Sequence, residues 1–379
     1  MRPLRLALIR ARYNPFGGAE RFVANTLQAL QSQDVKLTIV TRSWQEQPAV
    51  EALVINPFYV GNVWRDWSFA RAVCTTLKRQ SFDLVQSHER IACCDVYRAG
   101  DGVHREWLAQ RQRAQGLSGR VAVALNPYHH YMLRAERRLF ESPKLQAVIC
   151  ISQMVKEEIR RYFGVPETRC HVVYNGVDSE RFSPRLRVTH RQAFRQQHGI
   201  DKKAVVYLFV GSGFERKGVG RLLSALATLP ADCHGLVVGT DKHRHRYENW
   251  SRGLGLAGRV HFTGGLQDTA PAYGAADVFV LPTLYEPFGN AALEAMASGL
   301  PVVTSTKCGA GELIQDGVNG YRCDALELAT LARCMAFLRD PVRRKDMGEA
   351  ARLAALPLTF EVMSTRLLDL YQSLLQQKR

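Results

Sequence analysis

The sequence lacks the patterns that mark several classes of protein. No apolar run approaches the ~18–20 residues that a membrane-spanning helix needs. The nine cysteines include no C-x-x-C pair, so neither a disulfide framework nor a zinc site is expected, and the protein is predicted to be reduced and cytoplasmic. The segment MRPLRLALIRARYNPFGG has an arginine within its short apolar run and no small-residue cleavage site. It therefore predicts a first β-strand rather than a signal peptide.

Motifs for cofactors and nucleic acids are missing as well. A Walker A loop requires G-x-x-x-x-G-K-[ST], but in GSGFERKGVGRLL the lysine is followed by glycine. The same stretch has arginine at the third glycine of a dinucleotide-binding G-x-G-x-x-G. No D-x-D motif, whose paired carboxylates could hold a divalent metal ion, occurs either. Neither a metal nor another cofactor is therefore expected. Recognition-helix, RRM and zinc motifs are also absent, which argues against nucleic acid as a partner.

The basic residues are unevenly distributed along the chain. Its 379 residues carry a net charge of +16. Residues 1–200 hold 30 Lys and Arg against 17 Asp and Glu, whereas the remainder holds 21 against 18. This imbalance predicts that the first half faces an anionic partner, such as a phosphorylated substrate or an acidic membrane surface. The alternative, an arginine-rich composition unrelated to function, should load both halves similarly.

Short apolar runs recur, and most are continuous rather than alternating, as expected of strands buried on both faces of a parallel sheet. Helical patterns such as AERFVANTLQAL and VGRLLSALATL lie between them. This β–α alternation occurs twice and predicts two Rossmann-like, doubly wound α/β domains. The expected strands lie in LRLALIRA, KLTIVT, FDLVQSH, LQAVICIS, HVVYNGV, AVVYLFVG, HGLVVGT, RVHFTGG, DVFVLPT and LPVVTS.

A polar, arginine-rich stretch at 178–203 separates the two sets of strands, and we place the domain boundary at its start. The first domain is predicted to span 1–177 and the second 178–357. Segment 358–379 contains an amphipathic helix with no strand after it, and we expect it to pack back on the first domain. Open parallel sheets bind ligands beyond the carboxyl ends of their strands, so the domains are expected to face a shared cleft.

Two glycine-bearing loops follow predicted strands. Gly17 and Gly18 lie between the first strand and a helix, where small residues let backbone N–H groups approach a phosphate or a sugar. Gly213 belongs to the loop after AVVYLFV, in which Arg216 and Lys217 lead into a helix. Two adjacent cations suit a diphosphate, the arginine as a fork and the lysine as a point charge. The alternatives are a structural glycine turn and a solvated basic turn.

The stretch LYEPFGNAALEAMASG carries two glutamates eight residues apart. Glu286 lies in the loop after DVFVLPT, and Glu294 lies one helical turn beyond the start of the next helix. Each carboxylate can accept hydrogen bonds from neighbouring hydroxyls of a ribose or a sugar. The backbone N–H groups at the helix start can bind phosphate or sugar oxygens. They belong to Phe288, Gly289, Asn290 and Ala291. The alternative, two surface glutamates, fits poorly with the apolar residues around them.

The E-x7-E spacing, with GSGFERKGVGRLLSAL upstream and a glycine-rich first loop, resembles the retaining GT-B glycosyltransferases of family GT4. The resemblance spans nearly the whole chain. YNPFGGAERF, TRSW, GSGFERKGV and VVGTDK are most similar to the branch of bacterial lipopolysaccharide core glucosyltransferase I. This implies hexose transfer from UDP-glucose or a related UDP-hexose to an inner-core heptose or similar anionic glycolipid. The fuller EPFG departs from that branch, so the donor sugar and the acceptor stay open.

The resemblance also implies roles for the donor-side residues. Arg216 and Lys217 would hold the donor diphosphate and neutralise the leaving nucleotide. Glu294 would bind the ribose hydroxyls and Glu286 the hydroxyls of the transferred sugar. The helix start at 288–291 would orient that sugar and its phosphate. The loop that contains the Gly-Gly pair would approach the phosphate from the first domain.

On the acceptor side, DVYRAGDGVHREW is similar to the catalytic segment of the family. Asp101 is the first candidate there, and His104 is the second. The family is expected to react by front-face displacement, in which the departing phosphate takes the acceptor proton. No enzyme nucleophile is therefore expected.

Three alternatives remain: transfer to another cell-surface glycan, a nucleotide-sugar epimerase of the same fold, and a basic nucleic-acid or membrane adaptor. An epimerase would form product without an acceptor. The basic first half and REWLAQRQRAQ at 105–115 predict peripheral contact with the anionic inner face of the cytoplasmic membrane. A monomer is expected.

Overall fold

The structure is a computed structural model that describes residues 4–12, 35–44 and 51–377. Its first strands are β1 (Leu4–Ile9), β2 (Val35–Thr41), β3 (Glu51–Val54), β4 (Leu84–Ser87), β5 (Val96–Arg98), β6 (Ala147–Cys150) and β7 (Cys170–Val172). The described helices among them are α1 (Gly61–Leu77), α2 (His104–Ala124), α3 (Pro127–Phe140) and α4 (Gln153–Phe163).

The second set of strands is β8 (Val205–Val210), β9 (Cys233–Val238), β10 (Val260–Gly264), β11 (Val278–Leu281), β12 (Val302–Ser305) and β13 (Gly320–Cys323). The helices are α5 (Arg185–Gln197), α6 (Phe214–Lys217), α7 (Val219–Ala227), α8 (Arg244–Gly253), α9 (Ala270–Ala275), α10 (Asn290–Ala297), α11 (Leu328–Phe337), α12 (Pro341–Ala355) and α13 (Phe360–Gln377).

The chain forms two compact units. Unit 1 comprises Met1–Gly176 and Phe360–Arg379, and unit 2 comprises Val177–Thr359. Helix α13 thus belongs to unit 1, where the Tyr371 hydroxyl donates a 2.6 Å hydrogen bond to the Gln86 side chain on β4. Within the arginine-rich stretch at 178–203, residues Arg185–Gln197 form helix α5, which belongs to unit 2.

Both sheets are parallel and doubly wound. The first has the order β3-β2-β1-β4-β5-β6-β7, and the second has the order β10-β9-β8-β11-β12-β13. The direction in which strands are added to the sheet reverses between β1 and β4 in the first sheet and between β8 and β11 in the second. Doubly wound sheets bind ligands at this point of reversal. The predicted α/β fold class is confirmed, and every expected apolar run overlaps a strand. The short strands β3, β5 and β13 were not anticipated.

Strand β1 shows why its run is continuously apolar. Leu6 and Leu8 point to one face of the sheet and join a core cluster with α13. Ala7 and Ile9 point to the other face and join a cluster with α1. Since successive side chains of a strand alternate between faces, the part of β1 that is covered on both sides, residues 6–9, is apolar at every position.

Unit 2 is anchored by a buried carboxylate at the start of β11. Asp277 accepts hydrogen bonds from Arg195 at 2.7 Å, from Arg191 at 2.9 Å and from Arg187 at 3.2 Å, all on α5. It also accepts a 2.9 Å bond from the backbone N–H of Val206. Burial would raise the pKa of Asp277, but the arginines and this amide hold it below its ordinary value.

The expectation that the cysteines form no disulfide bond is wrong. Cys74 in the last turn of α1 is disulfide-bonded to Cys93, which lies between β4 and β5, and the two Cα atoms are 5.8 Å apart. Helix α1 packs against this part of the sheet and brings together two residues 19 positions apart. The other seven cysteines, including Cys94, are buried free thiols. Among the described residues, no helix combines the length and hydrophobicity needed to cross a bilayer.

We predict that Asp277→Asn lowers the free energy of unfolding by about 3–5 kcal/mol, because it leaves the buried guanidinium of Arg195 without its charge partner. The exposed pair Arg181–Asp268, at 2.7 Å, provides the control: Asp268→Asn should cost less than about 1 kcal/mol. Equilibrium denaturation in urea measures both, and equal losses would contradict the assignment.

The same carboxylate predicts a pH dependence. Because the pKa of Asp277 is lower in the folded chain, its contribution to stability is present above the unfolded value of about 4. It is lost as the pH falls through the folded pKa. Asp277→Asn should therefore flatten the decline in stability between neutral and acid pH.

Candidate active site

The turn after β8 positions the two candidate cations. Phe214–Lys217 form the one-turn helix α6, which Gly213 precedes with a φ of +78°. Gly218, with a φ of +86°, ends α6 and separates it from α7. As the sequence predicted, Arg216 and Lys217 lead, through Gly218, into the helix that begins at Val219; the short helix α6 that contains them was not anticipated.

Gly218 allows two loops to touch. A Cβ atom at this position would lie 2.1 Å from the carbonyl oxygen of Pro282, in the loop after β11. The backbone carbonyl of Arg216 accepts hydrogen bonds from the Leu284 N–H at 2.8 Å and from the Thr283 hydroxyl at 3.1 Å. The loops after β8 and β11 are therefore packed and bonded as one piece.

Both cations contact the same carboxylate. Glu286 Oε2 lies 3.1 Å from Arg216 Nη1 and 3.1 Å from Lys217 Nζ, and Arg216 also donates to the Tyr285 carbonyl at 2.9 Å. The Glu286 side chain is 14% exposed. Burial opposes its ionisation, but the charges of Lys217 and Arg216 hold the pKa of Glu286 below its ordinary value. We call Arg216, Lys217 and Glu286 the Glu286 cluster.

A third loop, after β12, fixes the backbone that carries Glu286. The Glu286 N–H donates to the Lys307 carbonyl at 2.9 Å, and the Glu286 carbonyl accepts from the Gly309 N–H at 2.9 Å. The Phe288 carbonyl accepts from the Ala310 N–H at 2.6 Å. The loop that carries Glu286 is therefore fixed by backbone hydrogen bonds to the loop after β12.

Glu294 is oriented by a buried tyrosine. Helix α10 begins at Asn290 after Gly289, whose φ is +98°, and Glu294 is partly exposed one turn later. The Tyr273 hydroxyl donates a 2.7 Å hydrogen bond to Glu294 Oε2. Since Tyr273 on α9 is only 1% exposed, its ring holds the hydroxyl, and thereby the carboxylate, in place.

The four residues at the start of α10 are not equivalent. Phe288 is buried, and both Phe288 and Asn290 have further partners. Within the described residues, no hydrogen bond is donated by the backbone N–H of Gly289 or of Ala291. These two N–H groups are the better donors for an oxyanion.

Asp101 lies in unit 1, where its exposed side chain lines a cavity of about 250 Å³ at the carboxyl ends of β1 and β4. We call this the Asp101 cavity. Its other charged residues are Arg10, Arg12, Arg42, Arg65, Asp66, Glu89 and Arg90. The excess of arginine over acidic residues makes the cavity basic.

Glu136 fixes the segment that follows Asp101. This 1% exposed carboxylate accepts from the His104 N–H at 2.7 Å and from Arg90 Nε at 3.0 Å. His104 Nε2 lies 3.2 Å from His129 Nδ1. Burial, together with the charge of Arg90, lowers the pKa of His104 to about 3. His104 is therefore neutral at physiological pH.

Comparison with known proteins assigns the family. Residues 16–181 match Glycosyltransferase Family 4, and residues 190–354 match Glycosyl transferases group 1. Over 349 residues, the chain is 28% identical to the lipopolysaccharide glucosyltransferase WaaG of Escherichia coli K12, covering 90% of this chain and 87% of that one. The crystal structure of WaaG, a glycosyltransferase involved in lipopolysaccharide biosynthesis, superposes with a TM-score of 0.84 at 26% identity, covering 97% and 99% of the two chains.

The chain is a glycosyltransferase of the GT-B fold. It is related to lipopolysaccharide core glucosyltransferases. Anabaena HepE, solved in complex with UDP-glucose, has the same fold, with a TM-score of 0.75 at 22% identity and coverage of 98% and 100%.

The structure brings together only part of the predicted site of this glycosyltransferase. The Glu286 cluster, Gly213 and the 288–294 segment share unit 2, whereas Asp101 and His104 belong to unit 1. Gly17 and Gly18 lie outside the described residues. No group of three or more His, Cys, Asp or Glu is arranged to hold a metal ion in the described part of the chain; metal independence stays a prediction.

Sequence reasoning missed several polar residues of the glycosyltransferase. Tyr273 was not anticipated, because its contact with Glu294 joins residues 21 positions apart. Asp241, in VVGTDK, accepts a 2.8 Å hydrogen bond from the Phe214 N–H at the start of α6, and this contact was not anticipated. Arg10 and Arg42 directly follow strands β1 and β2. Their position at the carboxyl ends of predicted strands was the sequence feature from which they could have been found.

Proposed function

We propose that this glycosyltransferase moves a hexose, with retained anomeric configuration, from a nucleoside diphosphate sugar to a glycan hydroxyl. The preferred donor is UDP-glucose or a related UDP-hexose, and the preferred acceptor is a lipopolysaccharide inner-core heptose or a similar anionic glycolipid. The observation that carries the proposal is the convergence of Arg216 and Lys217 on Glu286, where β8 and β11 end beside the reversal of strand order.

In the proposed reaction, the two cations serve the diphosphate. Breaking the sugar–phosphate bond places charge on the β-phosphate, and cations already aimed at that charge stabilise the transition state. The arginine offers a planar fork and the lysine a point charge, so together they suit adjacent phosphate oxygens. The N–H groups of Gly289 and Ala291 add donors at the N-terminus of α10.

The two acids serve the hydroxyls of the donor. Glu294, oriented by Tyr273, accepts hydrogen bonds from the ribose. Glu286 binds the hydroxyls of the transferred hexose once the diphosphate takes over its two cations. No residue is assigned as a nucleophile: the acceptor oxygen attacks the anomeric carbon, the departing phosphate takes the acceptor proton, and the nucleoside diphosphate leaves.

Asp101 is the preferred acceptor-side residue, because it is exposed in the basic Asp101 cavity. His104 is less suited to proton transfer, since an imidazole with a pKa of about 3 is a weak base near neutral pH. The names of two matched proteins, a lipopolysaccharide glucosyltransferase and a complex with UDP-glucose, support the choice of donor and acceptor. No metal or other cofactor and no nucleic acid is proposed, and a monomer is favoured.

The second candidate function is a nucleotide-sugar epimerase of the same fold. It would release product without any acceptor, whereas the transferase should form a new glycoside only when an acceptor is added. Incubation of the purified protein with radiolabelled UDP- and ADP-sugars, with and without inner-core oligosaccharides, separates these activities. Transfer to a different cell-surface glycan would appear in the same screen as activity restricted to that acceptor.

We predict that Lys217→Ala lowers kcat by about 100–1,000-fold, as removal of one oxyanion donor typically does. Glu294→Ala should weaken UDP binding, and that loss should largely disappear with a UDP analogue lacking the ribose 2′-hydroxyl. Calorimetric titration of each nucleotide and turnover with the radiolabelled donor measure the two effects.

Lys345→Ala and Glu349→Ala are matched controls, because both residues are exposed on α12 of unit 2. Neither control should change UDP binding. Normal binding by Lys217→Ala and Glu294→Ala, combined with a large loss of unfolding free energy, would give the two residues a structural role and reject the proposal.

A cytoplasmic location with peripheral contact to the inner face of the membrane completes the proposal. The second half of α2 and the residue that follows it expose an apolar stripe spaced at four residues: Leu117 and Leu125 are each 77% exposed and Val121 is 58% exposed. The exposed Arg113 and Arg120 flank this stripe. Apolar residues bordered by arginine suit the interface of an anionic bilayer.

The double variant Leu117→Gln/Leu125→Gln should reduce co-sedimentation with phosphatidylglycerol vesicles by at least about tenfold, since each leucine loses roughly 1.5–3 kcal/mol of burial. Leu353→Gln, altered at a 68% exposed leucine of unit 2, should bind like the wild type. Binding that is indifferent to anionic lipid and to salt would rule out this membrane contact.

A further inference from the structure

A second cavity of unit 1 lies between α1 and α3. Its volume is about 810 Å³, within the roughly 300–1,000 Å³ typical of ligand pockets. The residues that give it its character are Trp67, Arg71, His130, Tyr131, Arg134 and Arg138. We call these six residues and the space between them the arginine–tryptophan pocket. No role has been given to it in the reaction above.

The charge of this pocket is one-sided. Its three arginines and the neighbouring Arg90, which is paired with Glu136, line the space, and no Asp or Glu does so among the described residues. Arg71, Arg134 and Arg138 form no ion pair within the described part of the chain, and all three are exposed. Clustered guanidinium groups repel one another, and a bound anion would offset that repulsion with charge-assisted hydrogen bonds.

The pocket also offers aromatic faces. Trp67 is 44% exposed, and the Arg71 guanidinium lies over its ring at 5.5 Å from the centroid. Tyr131 lines the same space. Flat aromatic rings with a polar edge provide apolar contact and a hydrogen-bonding group together, which matches a sugar ring with its apolar face and its hydroxyl rim.

The walls of the pocket are joined to each other. The Tyr128 hydroxyl on α3 donates a 3.1 Å hydrogen bond to Asp66 on α1. Cys74, a lining residue on α1, is disulfide-bonded to Cys93. The hydrogen bond joins α1 to α3, and the disulfide joins α1 to the segment between β4 and β5. The backbone around the space is therefore pre-formed and needs little ordering when a ligand binds.

The arginine–tryptophan pocket adjoins the Asp101 cavity. The two share the lining residues Ala70, Arg90, Ile91, Tyr131 and Ala135. A chain of sugar rings whose reacting hydroxyl lies beside Asp101 would therefore extend its next residues into the arginine–tryptophan pocket.

We propose that this pocket binds an anionic sugar of the acceptor, carrying a phosphate or a carboxylate, next to the sugar that receives the hexose. The inference rests on the proposed function, because it takes a glycan acceptor as given. A lipid bilayer is the less favoured occupant, since the arginines surround a concave space and do not form a protruding apolar face.

The probe is deacylated lipopolysaccharide inner-core oligosaccharide in three forms: intact, dephosphorylated and carboxyl-reduced. We expect Arg71→Gln and Arg134→Gln each to weaken binding of the intact form about tenfold, as loss of a hydrogen bond to a charged group does. Removing the recognised anion should abolish the difference between the wild type and these variants. The form in which the difference vanishes identifies that anion as phosphate or carboxylate.

Arg137→Gln is the matched control. Arg137 neighbours Arg138 on α3, but it is exposed, pairs with Glu141 at 2.7 Å and does not line the pocket. This variant should bind the oligosaccharide like the wild type. A fourth variant, Trp67→Leu, should weaken all three forms by a similar factor, because it removes apolar contact and no charge.

Two outcomes would overturn the inference. One is equal affinity of the wild type, Arg71→Gln and Arg134→Gln for the intact oligosaccharide, including a complete lack of binding by all three. The other is that Arg71→Gln and Arg134→Gln lose binding to phosphatidylglycerol vesicles but bind the oligosaccharide like the wild type. The arginines would then be a membrane contact.

UDP titration of the same preparations separates this inference from the proposed function. Normal UDP binding without an arginine effect on the oligosaccharide rejects the pocket and leaves the transferase proposal intact. Absence of UDP binding by the wild type counts against the proposed donor, whatever the oligosaccharide does.

Discussion

The contact of one largely buried carboxylate, that of Glu286, with two adjacent cations is the interaction on which the donor side depends. Arg216 and Lys217 are neighbours whose charges repel, and Glu286 holds both at 3.1 Å. The same contact joins the loops after β8 and β11, which lie close together because Gly218 has no side chain to collide with Pro282. Without the carboxylate, the cations would spread into solvent and would have to be reassembled when a diphosphate arrives. With it, they are positioned in advance, which is the condition for electrostatic stabilisation of a transition state.

The two units use one topology for different chemistry. Each parallel sheet reverses its strand order beside its first strand, so the loops that follow the two adjacent strands open to opposite sides and leave a crevice. In unit 2, this position carries the Glu286 cluster. In unit 1, it carries the Asp101 cavity, where arginines outnumber acids. The arginines of this cavity and of the adjoining arginine–tryptophan pocket are part of the basic excess in the first half of the sequence.

The sequence predicted most of the fold because strands buried on both faces are largely apolar along their length, and such runs can be recognised in the sequence without knowledge of their partners. Strands β3, β5 and β13 were missed because each has only three or four residues and one of those residues is charged. The start of α10 and the spacing of Glu286 and Glu294 were local features and could be predicted. Three contacts join positions far apart in the sequence and could be found only from the structure. They are the Tyr273–Glu294 hydrogen bond, the Cys74–Cys93 disulfide and the bonds from three arginines to Asp277.

A crystal structure of the protein with UDP-glucose tests the central claim most directly. Arg216 and Lys217 should lie about 2.7–2.9 Å from diphosphate oxygens, as charge-assisted hydrogen bonds do, with the ribose hydroxyls on Glu294 and the glucose hydroxyls on Glu286. A diphosphate bound elsewhere, with the Lys217–Glu286 contact still at 3.1 Å, would contradict the account.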